Sequence, residues 1–73
     1  METIGRGDTV RITVHAGLLA HPDDTRFSGE CQPGTLGEYL GWRPMMNGLL
    51  GWHIIKVGNL YAPLQGSQFE VAR

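Results

Sequence analysis

The chain has 73 residues, a formal net charge of −1 at pH 7 and 18% charged residues. This length predicts one small domain, and six basic against seven acidic residues exclude the strongly basic surface typical of nucleic-acid binding. A hydrophobic content of 41% excludes a disordered chain, and the single cysteine excludes an internal disulfide. Tight packing or self-association is therefore expected to supply the stability that small domains often take from crosslinks.

Membrane insertion and secretion are not predicted. No run of the sequence reaches the ~18 apolar residues that a spanning helix requires. Residues 1–7 lack the basic-then-apolar pattern of a signal peptide, so we expect a cytoplasmic protein. Eleven glycines, spread through short apolar runs, indicate tight turns and bent strands rather than helices.

The first predicted strand follows a short tail. Residues 1–6 are expected to be flexible, and the domain to occupy residues 7–73. Within residues 9–15 apolar and polar side chains alternate, with Val10, Ile12 and Val14 on the inward face. β-branched residues on both faces favour a strand at this position.

A long loop is predicted after this strand. Residues 16–28 contain the turn-forming sequence His-Pro-Asp-Asp, and loops of this length are usually functional or mobile. Leu18 and Leu19 fall in the predicted loop, where they are candidates for an interface. Phe27 is expected to plug one end of the fold.

Two more strands are predicted before the middle of the chain. Residues 29–32 form a short candidate strand, and residues 35–42 form a longer one whose glycines suit strong coiling. Turning all its leucines and its tryptophan inward would carry Glu38 into the core. A bulge at Gly37 or Gly41 would remove this conflict.

The strongest signal is a β-hairpin over residues 52–64. Two apolar runs flank Gly58-Asn59, and glycine at the first central position suits a two-residue type II′ or type I′ turn. The short turn sets the register, with Val57 opposite Leu60. Alternation then gives one face to the core, namely Ile55, Val57, Leu60, Ala62 and Leu64. The other face carries Trp52, Ile54, Lys56, Tyr61 and Pro63.

A last strand completes the predicted fold. Gln65-Gly66-Ser67 is predicted as a 3₁₀-like turn, and residues 68–72 as a strand with Phe69 and Val71 inward. Together the elements predict an all-β protein, a small five-stranded SH3-like barrel with a long first loop and a short 3₁₀ turn before the last strand.

Two short motifs resemble known SH3-like barrels. Residues 7–12 (Gly-Asp-Thr-Val-Arg-Ile) resemble the Gly-x-x-Val-Arg opening strand of a small accessory protein of photosystem I and of the plasmid-borne, trimethoprim-resistant type II dihydrofolate reductases. Residues 37–42 (Gly-Glu-Tyr-Leu-Gly-Trp) resemble the Gly-x-x-x-Gly-Trp strand of those reductases. The resemblance implies the fold. The reductase site does not carry over, because the strand of Tyr61 lacks the family's glutamine and Ile12 stands where the family has lysine.

The candidate binding site combines aromatic residues with apolar loop residues. In SH3-like barrels a similar aromatic and proline cluster grips extended ligands, and methionine and leucine exposed together mark interfaces. The candidates are Tyr39, Trp42, Trp52, Tyr61 and Pro63, with Met45, Met46, Leu49 and Leu50 from the loop. The face taken by Tyr39 is open. The alternative is that the tryptophans close the core and the loops fold back as lids.

No catalytic, metal or cofactor site is predicted. His21 with Asp23 and Asp24 is interpreted as a solvated turn, because nothing holds three ligands in a fixed geometry. Cys31 has no neighbouring cation that would activate its thiol. His53, at the end of the inward face of the hairpin, is interpreted as a hydrogen-bonded residue at the boundary of the core.

These patterns predict a non-enzymatic accessory or adaptor module that binds a protein partner or a second copy of itself through an aromatic and apolar surface. One alternative is an oligomeric barrel enzyme of the type II dihydrofolate reductase kind, which the resemblance implies. Another is a nucleic-acid-binding small barrel, which the balance of basic and acidic residues disfavours.

Overall fold

The computed structural model describes residues 4–22, 24, 26–43 and 51–72. Within these ranges the chain forms seven strands and one 3₁₀ turn, and no helix in them is long and apolar enough to cross a membrane. The strands are β1 (Thr9–Ile12), β2 (Ala16–Leu19), β3 (Phe27–Cys31), β4 (Leu36–Arg43), β5 (Trp52–Val57), β6 (Leu60–Leu64) and β7 (Phe69–Val71), and the 3₁₀ turn is Gly66–Gln68. The prediction of an all-β fold is confirmed.

The strands form one antiparallel sheet in the order β3-β2-β6-β5-β4-β1-β7. This sheet has seven strands and is not closed, so the predicted five-stranded barrel is not confirmed. β1 lies between β4 and β7, and the strand that follows it, β2, lies on the far side of the β5–β6 hairpin. The chain therefore crosses over the sheet between Ile12 and Ala16.

The loop predicted for residues 16–28 is wrong, because both of its ends are strands. Ala16 of β2 stands opposite Cys31 of β3, and Leu18 stands opposite Gly29. Leu18 is only 5% exposed and belongs to the core cluster. Burial of such side chains against the sheet stabilises an extended backbone here. The neighbouring turn-forming residues favour a loop, which is why the sequence did not predict a strand.

Two other details also differ from the sequence prediction. β1 ends at Ile12 rather than at residue 15, although Val14 still packs partly against the core. Phe27 is 65% exposed, so it does not plug an end of the fold. Its ring instead covers Gly17, where a Cβ atom would come within 2.5 Å of the Phe27 ring.

The core lies on one side of the sheet and matches the inward residues predicted for β1 and the hairpin. Val10, Ile12, Ile55 and Ala62 are all 0% exposed. The hairpin register is confirmed pair by pair, from Val57 opposite Leu60 to His53 opposite Leu64. Gly58 has a φ of +62°, as the tight turn requires.

A bulge in β4 sets which of its side chains enter the core. Tyr39 stands opposite Ile55 and Gly41 stands opposite Ile54, so Leu40 is the extra residue. Gly41 has a φ of +135°, a conformation that other residues rarely adopt. Before the bulge, Tyr39 is buried while Glu38 is exposed. The predicted conflict at Glu38 is thus removed by a bulge at Gly41.

Candidate binding face

The candidate site begins on the side of the β5–β6 hairpin that faces away from the core. We call this surface the outer face; it consists of Trp52, Ile54, Lys56, Tyr61 and Pro63. Ile54 stands opposite Pro63, and Lys56 stands opposite Tyr61. Trp52, Tyr61 and Pro63 are half-buried and Lys56 is exposed. Three of the nine predicted binding residues therefore share one surface.

Two buried aliphatic side chains on this side of the sheet lie outside the main core cluster. Ile54 is 4% exposed, and neither it nor Leu19 belongs to the core cluster. Leu19 is 5% exposed and stands opposite Tyr61, which extends the outer face onto β2. On this side of the sheet, buried aliphatic side chains therefore adjoin half-buried aromatic ones.

Tyr39 is not part of this surface. It lies on the core side, opposite Ile55, and is 9% exposed. Its hydroxyl and Nδ1 of His53 are hydrogen-bonded at 2.8 Å, and its ring centroid lies 6.0 Å from that of Phe69. Burial raises the pKa of Tyr39 above its ordinary value of 10.0. The aromatic set predicted from the sequence is thus divided between the two sides of the sheet.

His53 takes the position predicted for it at the boundary of the core. It is half-buried, and its ring meets that of Phe69 edge-on at a centroid distance of 5.2 Å. The three rings of Tyr39, His53 and Phe69 therefore close one end of the core. The sequence prediction recognised the hydrogen bond but not the partner, because Tyr39 is 14 residues away in the chain.

Trp42 lies near the same end of the fold and is 55% exposed. It stands opposite His53, and its indole lies directly against the Cα of Gly51, where no side chain larger than hydrogen fits. Gln65 Nε2 donates a hydrogen bond to the Gly51 carbonyl oxygen at 3.0 Å. Trp42 therefore packs against Gly51 and remains accessible.

The remaining predicted binding residues fall in the loop between β4 and β5. Met45, Met46, Leu49 and Leu50 lie outside the described residues. Their proposed part in an interface stays a prediction.

A groove adjoins the outer face at Ile54. It encloses about 280 Å³ and is lined by Arg6, Pro22, Leu40, Gly41, Trp42, Arg43 and Ile54. Arg6 comes from the segment before β1 and Pro22 from the turn after β2. No local pattern in the sequence could reveal this grouping, because four separate segments contribute to it.

The ionisable side chains of the described region are mostly at the surface. Arg11 Nη1 lies 3.3 Å from Glu70 Oε1, and His15 Nε2 lies 3.3 Å from Glu30 Oε2, with all four side chains largely exposed. Within residues 4–22, 24, 26–43 and 51–72, no three His, Cys, Asp or Glu side chains are grouped to hold a metal ion. Cys31 is a buried free thiol in the core.

The chain was compared with protein-family models, with curated proteins and with solved structures, and no match was found in any of the three.

Proposed function

We propose that this protein is a non-enzymatic protein-binding module, and that its outer face holds an extended segment of a partner protein. One observation carries the proposal. Trp52, Tyr61 and Pro63 lie together on the side of the hairpin opposite the core, each half-buried. The core is complete without them, since Ile55, Ala62 and Leu64 fill the inner face of the same hairpin.

The chemistry of these three side chains suits an extended ligand. Tryptophan and tyrosine provide large contact areas with few rotatable bonds, so little conformational entropy is lost on binding. Tyrosine and tryptophan also offer a polar group at the edge of an apolar ring. Proline-rich and other extended peptides dock on such rings because the peptide is already close to its bound conformation.

We further propose that the seven strands are an elaborated SH3-like arrangement. Three features support this: the 3₁₀ turn Gly66–Gln68 between β6 and β7, the bent β4 with its bulge, and the excursion through β2 and β3 after the first strand. The 3₁₀ turn is held by Gln68 Oε1, which accepts a hydrogen bond from the Gln65 backbone N–H at 2.8 Å. In this view the β2–β3 hairpin takes the place of the long first loop of the smaller barrels.

The proposal is tested by selecting ligands from a phage-displayed library of random peptides of about ten residues. We expect enrichment of extended sequences with proline or large apolar residues. Synthetic versions should bind Trp52→Ala and Tyr61→Ala about five- to thirtyfold more weakly than the unaltered protein, because loss of one aromatic contact residue typically costs about 1–2 kcal/mol. Affinities are measured by fluorescence polarisation.

Leu36→Ala is the matched control. Leu36 is 54% exposed at the start of β4 and pairs with Arg11 of β1, not with a residue of the β5–β6 hairpin. Its removal should leave the affinity unchanged. The proposal is wrong if no peptide is enriched, or if the selected peptides bind the Trp52 and Tyr61 variants as well as the unaltered protein.

A further inference from the structure

The groove beside the outer face differs in character from the three half-buried side chains next to it. Two aliphatic side chains line it, those of Ile54, which is 4% exposed, and Leu40, which is half-buried. Two arginines, Arg6 and Arg43, line it as well. Among the described residues that line the groove, none is acidic. The groove therefore combines two positively charged residues with aliphatic side chains.

Arg6 is the cation best placed to meet a ligand. It is exposed, and within the described part of the chain the structure records no hydrogen bond or ion pair for its side chain. Arg43 is also exposed but takes part in another interaction. The inference needs only the charge of Arg43, which a guanidinium keeps when it is hydrogen-bonded.

The size and position of the groove indicate what could occupy it. Its volume of about 280 Å³ is slightly below the range of roughly 300–1,000 Å³ that is usual for small-molecule sites. It shares with the outer face one residue, Ile54, which stands opposite Pro63. One or two side chains of a longer ligand fit this description better than a free cofactor does.

We propose that the groove binds an aspartate or glutamate side chain of the same partner segment that lies on the outer face. Arg6 would then determine specificity, since a guanidinium pairs with a carboxylate through two parallel hydrogen bonds. This inference rests on the proposed function and adds a charge pattern to it: the partner segment is apolar or proline-rich with an acidic residue at one end. Nucleic acid is a less suitable polyanion for a chain whose net charge is −1.

The test uses the same random peptide library, selected in parallel on the unaltered protein, on Arg6→Glu and on Arg26→Glu. Arg26 is a matched control because it is an exposed arginine that does not line the groove. We expect aspartate and glutamate to be enriched on the unaltered protein and on Arg26→Glu, but not on Arg6→Glu. Arg6→Gln serves as a milder variant, and circular dichroism checks that each variant is folded.

A selected peptide is then compared with its amide counterpart, in which glutamine or asparagine replaces the acid. On the unaltered protein we expect the amide peptide to bind roughly three- to tenfold more weakly, and added salt to reduce the difference. On Arg6→Gln the two peptides should bind equally. Equal binding of the pair to the unaltered protein, or an undiminished difference on Arg6→Gln, overturns the inference.

Failure of the inference can be distinguished from failure of the proposed function. Peptides that depend on Trp52 and Tyr61 but show no acidic preference overturn the role of the groove and leave the proposed function standing. Absence of any enriched peptide overturns both. A fluorescein-labelled oligothymidylate that binds more tightly than the selected peptides, and loses that binding in Arg6→Glu, overturns the inference in favour of a nucleic-acid ligand.

Discussion

The two faces of the β5–β6 hairpin are both rich in apolar residues, yet the fold treats them differently. On the inner face Ile55 and Ala62 are 0% exposed and Leu64 is 3% exposed. On the outer face Ile54 is 4% exposed, while Trp52 and Tyr61 remain half-buried. The inner face meets β1, β4 and β7 residues across the core, whereas the outer face is only partly covered. An apolar surface that is incompletely covered is suited to contact with another molecule.

The largest expected loss of stability comes from truncating Ile55, and it should exceed the loss from truncating its neighbour Ile54. Ile55→Ala should lower the free energy of unfolding by about 2–5 kcal/mol, because it leaves a cavity in a fully enclosed site. Ile54→Ala removes the same atoms from the outer face, where solvent and half-exposed neighbours can fill the space, and should cost less. Urea unfolding of the two variants measures the difference. A larger loss for Ile54→Ala would contradict the distinction between the faces.

A smaller effect is expected where a strand backbone approaches the inner face closely. A Cβ atom at Gly37 would lie 2.5 Å from Ile55 Cγ2 and 2.8 Å from the Lys56 carbonyl oxygen. Gly37→Ala should therefore destabilise the protein by about 1–3 kcal/mol through overpacking. Gly5→Ala is the control, since its nearest atom would be at 3.9 Å. Equal thermal midpoints for the two variants would show that β4 can move away from β5 without cost.

The smallest effect concerns the polar end of the inner face. Tyr39→Phe removes the hydrogen bond to His53 Nδ1 and should cost about 0.5–1.5 kcal/mol in urea unfolding at neutral pH. Tyr61→Phe, on the outer face, is the matched control and should stay within about 0.5 kcal/mol.

The buried hydroxyl of Tyr39 also predicts that the stability of the protein depends on pH. Because burial raises the pKa of Tyr39 in the folded state, the folded protein holds this proton more tightly than the unfolded chain does. The resulting contribution to stability is fully present below the unfolded pKa of about 10 and is lost as the pH rises through the folded pKa. Urea unfolding across this range should show a decline in stability that Tyr39→Phe lacks. An identical decline in the variant would contradict the assignment.

The hairpin itself was predictable because its determinants are local. Gly58 permits the positive φ of the turn, the two-residue loop sets the register, and alternation then assigns every side chain to a face. The β2–β3 hairpin was missed for the opposite reason. Leu18 and Leu19 sit among glycine, proline and aspartate residues that favour turns, and only their burial by strands distant in the chain makes the segment extended.

The candidate site shows the same division. Trp52, Tyr61 and Pro63 could be placed on one surface from the sequence, since a single hairpin carries all three. The side of the sheet taken by Tyr39 could not be predicted, because it depends on the position of the bulge in β4. The sequence allows a bulge at either Gly37 or Gly41. Arg6 could not be assigned to a groove at all, because its neighbours there come from the turn after β2 and from β4 and β5.

The amino-acid sequence was sufficient to determine the all-β class, the turn at Gly58 and the inward residues of β1 and of the hairpin. These features are local, because period-two alternation and backbone sterics act over a few residues. The tertiary structure alone decided the number of strands, the open sheet, the side taken by Tyr39 and the meeting of Arg6 with Ile54. Those outcomes depend on pairing between strands far apart in the chain, where the free energy of burial outweighs the local preference of each segment.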